Sequence, residues 1–291
     1  MMTEHFTVLV TGATGQQGGL VARTLKSRGH NVLGLTRNPD SPSARELKDL
    51  GIAVTGGDFN DPPSLVTAAQ GVDAVYVMAT PFEAGTEAET RQGIVAVDAA
   101  KTAGVQHLIY SSVSDADRET GIPHFDSKYQ VERHIQAQNL PYTIVAPAYF
   151  MENLVAPFML PVLKQGTLSM AMPATRGLQQ ISVQDIASFT ALVIENRDRF
   201  LGKRVNIAGD EIDGARVAEI VSRISGHQID YAEADIGELL AANQDLGKMF
   251  DWFNQVGYSA DIPALRRDYP EVGWHTLEEW AQAQDWSARL R

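Results

Sequence analysis

The chain has 291 residues, 44% of them hydrophobic, which allows one large domain or a large domain with a smaller companion. Its 24 lysines and arginines stand against 36 acids, a net charge of −12, and no basic cluster marks a face for DNA or RNA, so nucleic-acid binding is not expected. Cysteine is absent, which excludes disulfides, thiolate metal sites and a cysteine nucleophile, and suits a cytoplasmic protein.

The opening MMTEHFTVLVTGATG has an apolar run too short for a signal peptide, and glycines end it. No stretch approaches the roughly 18 apolar residues of a membrane span, so a soluble protein without a membrane partner is expected. In chain order, runs rich in Val and Ile recur at 6–11, 31–36, 52–56, 73–78, 107–112 and 142–147. Continuous apolar runs of this kind predict strands covered by helices on both faces. The segments between them predict crossover helices. In 16–28, Leu20, Val21, Thr24 and Leu25 share a face before a stop at Gly29; in 87–104, Ile94, Val95 and Val97 precede a stop at Gly104. Six strand–helix alternations predict an α/β doubly wound parallel sheet, the Rossmann fold.

Beyond Pro147 the rhythm breaks. Segment 150–180, with Pro157, Pro161, Gly166 and Pro173, predicts an irregular cap with a short helix. Residues 183–197 predict an amphipathic helix and 203–209 a strand, both returning to the sheet. From 214 onward a mainly helical stretch ends in TLEEWAQAQDW (276–286), with Thr276 as N-cap and Glu279 three residues on. The expected division is a domain of residues 1–150, rejoined by 181–209, and a smaller, mainly helical domain of 151–291.

The loop Gly12-Ala13-Thr14-Gly15-Gln16-Gln17-Gly18 follows the first strand and opens the first helix. One glycine allows the tight turn, one lets backbone approach a pyrophosphate, and one lets the helix pack on the strand. The helix N-terminus then meets the anion, although a turn with glycines for packing alone would read the same way. At the end of the second strand, where NAD sites carry an acid, the chain reads Leu35-Thr36-Arg37-Asn38-Pro39. A guanidinium there suits the 2′-phosphate of NADP, unless Arg37 is a solvated loop residue. After the third strand, Asp58 and Phe59 either meet the adenine, or Asp58 caps the helix at Pro62. Ala79, Thr80 and Pro81 fall at the carboxyl edge after the fourth strand, where ligands of open α/β sheets sit.

With TGATGQQGG, TRNP, GGD, RQG, HFDSK, YFMEN and the VQDIA helix in this order, the chain resembles the NmrA-like proteins, atypical members of the short-chain dehydrogenase/reductase superfamily. The likeness runs over nearly the whole chain and is closest to the branch containing the human NmrA-like redox sensor. It implies an NADP(H)-binding Rossmann domain with a smaller C-terminal domain. The family includes regulators that read the NADPH/NADP balance and reductases of quinones or related carbonyls. By position, it puts Gly12 to Gly18 on the pyrophosphate, Arg37 on the 2′-phosphate and Asp58 with Phe59 at the adenine. Ala79 to Pro81, Arg91, Lys128 and the loop of Tyr149, Phe150, Glu152 and Asn153 would follow the rest of the cofactor. The sensor branch carries basic residues just after TRNP where this chain reads DSPS, which leaves Arg37 as one firm cation. Met151 stands as an insertion in the usual YFEN loop.

Reductases of the superfamily keep a tyrosine four residues before the lysine, whereas here His124 holds that place and Tyr129 follows Lys128. His124, Lys128 and Glu132 form one helical stripe. Lys128 suits the nicotinamide ribose, and Ser111, Ser112 or Ser114 could supply an orienting hydroxyl. His124 either protonates a substrate oxyanion or is a partly exposed histidine at the helix start, beside a surface Lys128–Glu132 pair. Tyr149 stacks, donates or, as the plainer reading, packs. Met151, Met159, Met170 and Met172, with Phe150 and Phe158, line an apolar pocket or belong to the core. The remaining histidines show no metal-ligand spacing, so no metal is expected. Two functions follow as expectations: a redox sensor with little turnover and a regulatory partner protein, or an NADPH-dependent oxidoreductase acting on an apolar, quinone-like or enone molecule. Whether the chain self-associates is left open.

Overall fold

All six valine- and isoleucine-rich runs become strands, and each crossover becomes a helix. The structure, a computed structural model, describes residues 5–291. The strands are β1 (Thr7–Val10), β2 (Asn31–Thr36), β3 (Ala53–Gly56), β4 (Ala74–Val77), β5 (His107–Ser111) and β6 (Tyr142–Pro147). Between them run α1 (Gln16–Ser27), α2 (Pro42–Asp49), α3 (Pro62–Ala69), α4 (Thr86–Thr102) and α5 (Pro123–Ala137). From one edge the order is β3, β2, β1, β4, β5, β6, and the strand Arg204–Ile207 closes the other edge. The pairings among β1 to β6 are parallel, as covered apolar runs require. The added strand runs the same way, with Ile144 N donating to Lys203 O at 2.9 Å and Ala148 N to Ile207 O at 2.9 Å. The strand order reverses between β1 and β4, and the crevice outside the carboxyl ends at such a point is where open sheets bind ligands.

Burial follows the pattern of the runs. Every residue of β4 and β5 is buried, whereas edge strand β3 is not. On α4 the buried face is made of small residues, Gly93, Ala96, Ala99 and Ala100 with Val97, and the larger Ile94 and Val95 are only partly covered. Ala96, Val97, Ala99 and Ala100 join Val131 and Ile135 of α5 in one cluster, with Ile94 and Val95 packed against it. Among the described residues no helix is long and apolar enough to cross a membrane.

The chain forms two units. One runs to Asp117 and includes His124–Ala146 and Ile186–Val205; the other comprises Arg118–Pro123, Pro147–Asp185 and Asn206–Arg291. In the second, Gly177–Ile181 pairs antiparallel with Asp210–Asp213 and parallel with Tyr149–Phe150, and Thr167–Met170 pairs with Asp230–Glu233. Segment 150–180 is therefore more regular than its prolines and glycine suggest. It holds the short helix Leu160–Lys164 and two strands whose partners lie far along the chain, beyond the reach of local patterning. Met151 and Met159 are core residues of this unit, buried with Leu163, Leu168, Trp280 and Trp286, and Met170 packs against the same cluster. The apolar-lining reading of these three methionines gives way to packing; Phe158 points to solvent. Thr276 caps the helix Leu277–Gln282 in a full capping box with Glu279.

His107 opens β5 with its ring buried. Its Nε2 lies 2.8 Å from Thr143 Oγ1, and that hydroxyl donates to Phe200 O at 2.9 Å, so the ring nitrogen must be the donor to Thr143. Nδ1 is left without a partner. Burial, aided by the charge of Arg197, lowers the imidazole pKa from 6.5 to about 4. A folded-state value below the unfolded one gives stability that is present above pH 6.5 and lost as pH falls toward 4. Urea unfolding at pH 7 and pH 4 is expected to show the native chain losing about 3 kcal/mol more than His107→Gln. Equal losses in the two proteins would contradict this reading.

Candidate functional site

Between β1 and α1 the chain turns on Gly12, whose φ of +62° lies in the left-handed region. Gly15 N donates to Gly12 O at 2.9 Å and tightens the turn. Gly18 has no room for a side chain, since a Cβ there would sit 2.4 Å from Gly12 O and 2.6 Å from Thr11 O. The helix is thereby pressed onto the strand. No side chain caps its N-terminus at Gly15, and its first turn carries no acid. Thr14, Gly15 and Gln16 are exposed around that end, while Ala13 and Gln17 are buried. The positive end of the helix dipole is thus left for an external anion.

Gln17 fixes the loop from beneath. Its Nε2 donates to Tyr76 Oη at 2.9 Å and to Ser111 Oγ at 2.7 Å, tying α1 to β4 and β5. Burial raises the Tyr76 phenol above the usual tyrosine range. Thr11 Oγ1 accepts from Met78 N at 2.9 Å and lies 3.2 Å from Met78 O, so the ends of β1 and β4 are joined as well.

Arg37 stands at the end of β2 as expected, but it is paired: its Nη2 is 3.1 Å from Glu83 Oε2. Asp58 does not cap α3. Its Oδ1 accepts from Asn60 N at 2.8 Å and from Asn60 Nδ2 at 3.0 Å, a turn of its own, and Asp61 holds the N-cap position. Phe59 is half-buried against the core cluster. Ala79 is buried, Thr80 and Pro81 are partly exposed after β4, and Arg91 is exposed on α4.

Lys128 reaches the same edge. Its Nζ donates to Ala79 O at 3.0 Å and lies 2.9 Å from Glu89 Oε1, a carboxylate with 0% exposure. Ser127 Oγ also donates to Glu89. An ammonium has three donors, and the Ala79 carbonyl takes one of them. The expected surface pair of Lys128 with Glu132 does not form. Glu132 is fully buried and takes Nε of Arg204 at 2.8 Å and the Ser112 hydroxyl, and burial raises its pKa. The Arg204 guanidinium also donates to Val113 O at 2.9 Å and meets Asp117 at 3.3 Å. His124 is buried rather than partly exposed, with its ring edge-on to Phe125 at 4.8 Å. Each serine hydroxyl is engaged: Ser111 with Gln17, Ser112 with Glu132, Ser114 with Asp115 at 3.2 Å.

In the second unit, Tyr149 lies edge-on to Phe253 at 6.4 Å and bonds Asn153; burial pushes its phenol up to about 12. Phe150 pairs with Ile181 in the strand. Glu152 accepts from Val183 N at 3.0 Å and from Trp280 Nε1 at 3.0 Å, and burial raises its pKa. Its carboxylate therefore has partners inside this unit.

Sequence reasoning missed Glu89, Glu83 and Arg204. Glu89 had a signal: with Gly93, Ala96 and Ala100 it continues the small-residue stripe of α4 at helical spacing. Glu132 had one too, lying between buried Val131 and Ile135. Glu83, in an exposed loop, had none.

A doubly wound sheet with a glycine turn at its switch point defines a Rossmann-type protein. The NmrA-like family model matches residues 4–281, and the chain belongs to that family. An NmrA-like family domain-containing protein of Dictyostelium discoideum is 28% identical over 268 residues, 86% of this chain and 88% of that protein. The NAD(P)H azoreductase of Xenophilus azovorans is 27% identical, over 82% of this chain and 81% of that one. The NADPH-dependent quinone oxidoreductase QOR2 of Escherichia coli, solved with NADPH, is 25% identical with a TM-score of 0.80, covering 94% of this chain and 98% of that chain.

Removing one partner of a buried ion pair strands the other charge. Lys128→Ala is expected to lower stability by about 3–5 kcal/mol, and adding Glu89→Gln to restore part of that loss. Denaturant unfolding of both variants checks this; additive losses would contradict it.

Proposed function

We propose that the chain binds NADP(H) and acts as a nucleotide-responsive regulator with little turnover. The loop Gly12 to Gly18 would hold the pyrophosphate, Arg37 the 2′-phosphate, Asp58 and Phe59 the adenine end, and Lys128 with Ala79 to Pro81 the nicotinamide ribose. Support for binding comes from the uncapped, acid-free N-terminus of α1 beside a loop with no room for a Cβ at Gly18. The relatives that name NAD(P)H or NADPH agree with it.

The observation that carries the regulator reading is the commitment of the polar groups around Lys128. Where reductases of the superfamily keep a tyrosine, His124 is buried against Phe125, and Ser111, Ser112 and Ser114 already have partners in the fold. Glu89, 2.9 Å from Lys128, offsets the charge that would otherwise lower the pKa of a neighbouring acid. Among the described residues the hydroxyls of Ser112 and Ser114 are thus spent on carboxylates of the fold, and that of Ser111 is fixed by Gln17.

A second reading is favoured by the azoreductase and the quinone oxidoreductase among the relatives. When bound, NADPH would supply a hydride, and a quinone-like acceptor forms an anion that water can protonate, so a dedicated donor matters less. Lys128 would then anchor and orient without acting as an acid.

An NADPH titration and an NADPH-oxidation assay against a panel of quinones and enones, on one sample, separate the two. Saturable binding without turnover is the expected result. Steady oxidation of NADPH by any acceptor in the panel would replace the regulator with the reductase.

A further inference from the structure

Arg37 is the one cation the sequence offers to a 2′-phosphate, and it does not stand free. Its Nη2 lies 3.1 Å from one oxygen of Glu83 and 3.4 Å from the other. Of the next two cations along the chain, Arg45 is exposed on α2, and Lys48 is engaged nearby: it lies 3.9 Å from Asp40 and donates to Pro39 O at 2.8 Å. Glu83 comes from the loop between β4 and α4, which reaches Arg37 because β1 alone separates β2 from β4 in the sheet. Both side chains are exposed, 67% for Arg37 and 61% for Glu83. A pair of this kind adds little to stability, so its consequence lies in what each partner offers a ligand.

We propose that Glu83 is a specificity-determining residue that moderates the preference of this site for 2′-phosphorylated dinucleotides. The inference rests on the reading above that a dinucleotide binds along the β1–α1 loop. A 2′-phosphate that engages Arg37 enters next to the Glu83 carboxylate, and like charges at such range repel. A dinucleotide without that phosphate presents a ribose hydroxyl instead. Carboxylates accept from that hydroxyl in NAD sites, where the acid usually comes from the end of the second strand. Here β2 ends in a base, and the acid arrives from the loop after β4. The pair therefore offers a cation to one nucleotide and an acceptor to the other, and it discriminates less than an unpaired arginine would.

Calorimetric titration of NADPH and NADH into the native chain, Glu83→Gln and Glu87→Gln tests this. Glu87 is an exposed acid in the first turn of α4, so its substitution makes the same change in net charge at another position. Glu83→Gln is expected to raise the ratio of NADPH to NADH affinity about tenfold, with the ratio unmoved in Glu87→Gln. A ratio within about twofold of the native one in Glu83→Gln, or the same rise in both variants, would overturn the inference while leaving nucleotide binding intact. If all three proteins keep the native melting temperature and none binds either nucleotide, the cofactor reading falls and this inference with it.

Discussion

Glu89 is a carboxylate with no exposure to water, held among the small residues of α4, and an ion in that position must be answered locally. Lys128 from α5 answers it at 2.9 Å, and Ser127 adds a hydrogen bond. The same ammonium takes Ala79 O after β4 at 3.0 Å. One buried charge thus fixes where α4, α5 and the end of β4 meet, at the carboxyl edge of the sheet. Glu132 and Arg204 repeat the device on the next turn of α5. There the guanidinium joins Glu132 to Val113 O and Asp117, so the segment after β5 is tied to the strand at the sheet edge.

These pairs shape the chemistry as much as the fold. Two of the three cations that the sequence assigns to a dinucleotide, Arg37 and Lys128, come with a carboxylate attached, while Arg91 is exposed on α4. The two cases differ in burial. Lys128 is held in a nearly dry pair, which keeps it in place and blunts its effect on neighbouring acids. Arg37 is held in a wet pair that a ligand can exchange at small cost. The uncapped end of α1 is then the largest unanswered positive feature of the loop, which fits recognition led by backbone amides more than by side-chain charge.

The sheet was legible in the sequence because its signal is local: apolar runs of strand length with helical faces between them, two of these ending in glycine stops at Gly29 and Gly104. The phosphate loop was legible for the same reason, since Gly12 is needed for its own left-handed backbone and Gly18 for the carbonyls of Thr11 and Gly12 in the turn itself. The second unit was harder. Strands Thr167–Met170 and Gly177–Ile181 find partners far along the chain, and no local pattern announces them. The methionines of that region carried no sign of whether they face a ligand or a core, and Met151 and Met159 proved to be core. Site electrostatics were least legible. The stripe His124–Lys128–Glu132 left a cofactor-facing and a surface reading open, because helical spacing says which residues share a face but not what that face meets. Once α4 packs on α5, Lys128 turns to Glu89 and Glu132 to Arg204.

The central claim is that a dinucleotide sits on the β1–α1 loop and reaches Lys128. Amide hydrogen exchange with and without NADPH tests it most directly. The account predicts added protection in peptides covering 11–18, 79–81 and 124–128. Protection confined to other segments, with the loop at 11–18 exchanging as before, would contradict it.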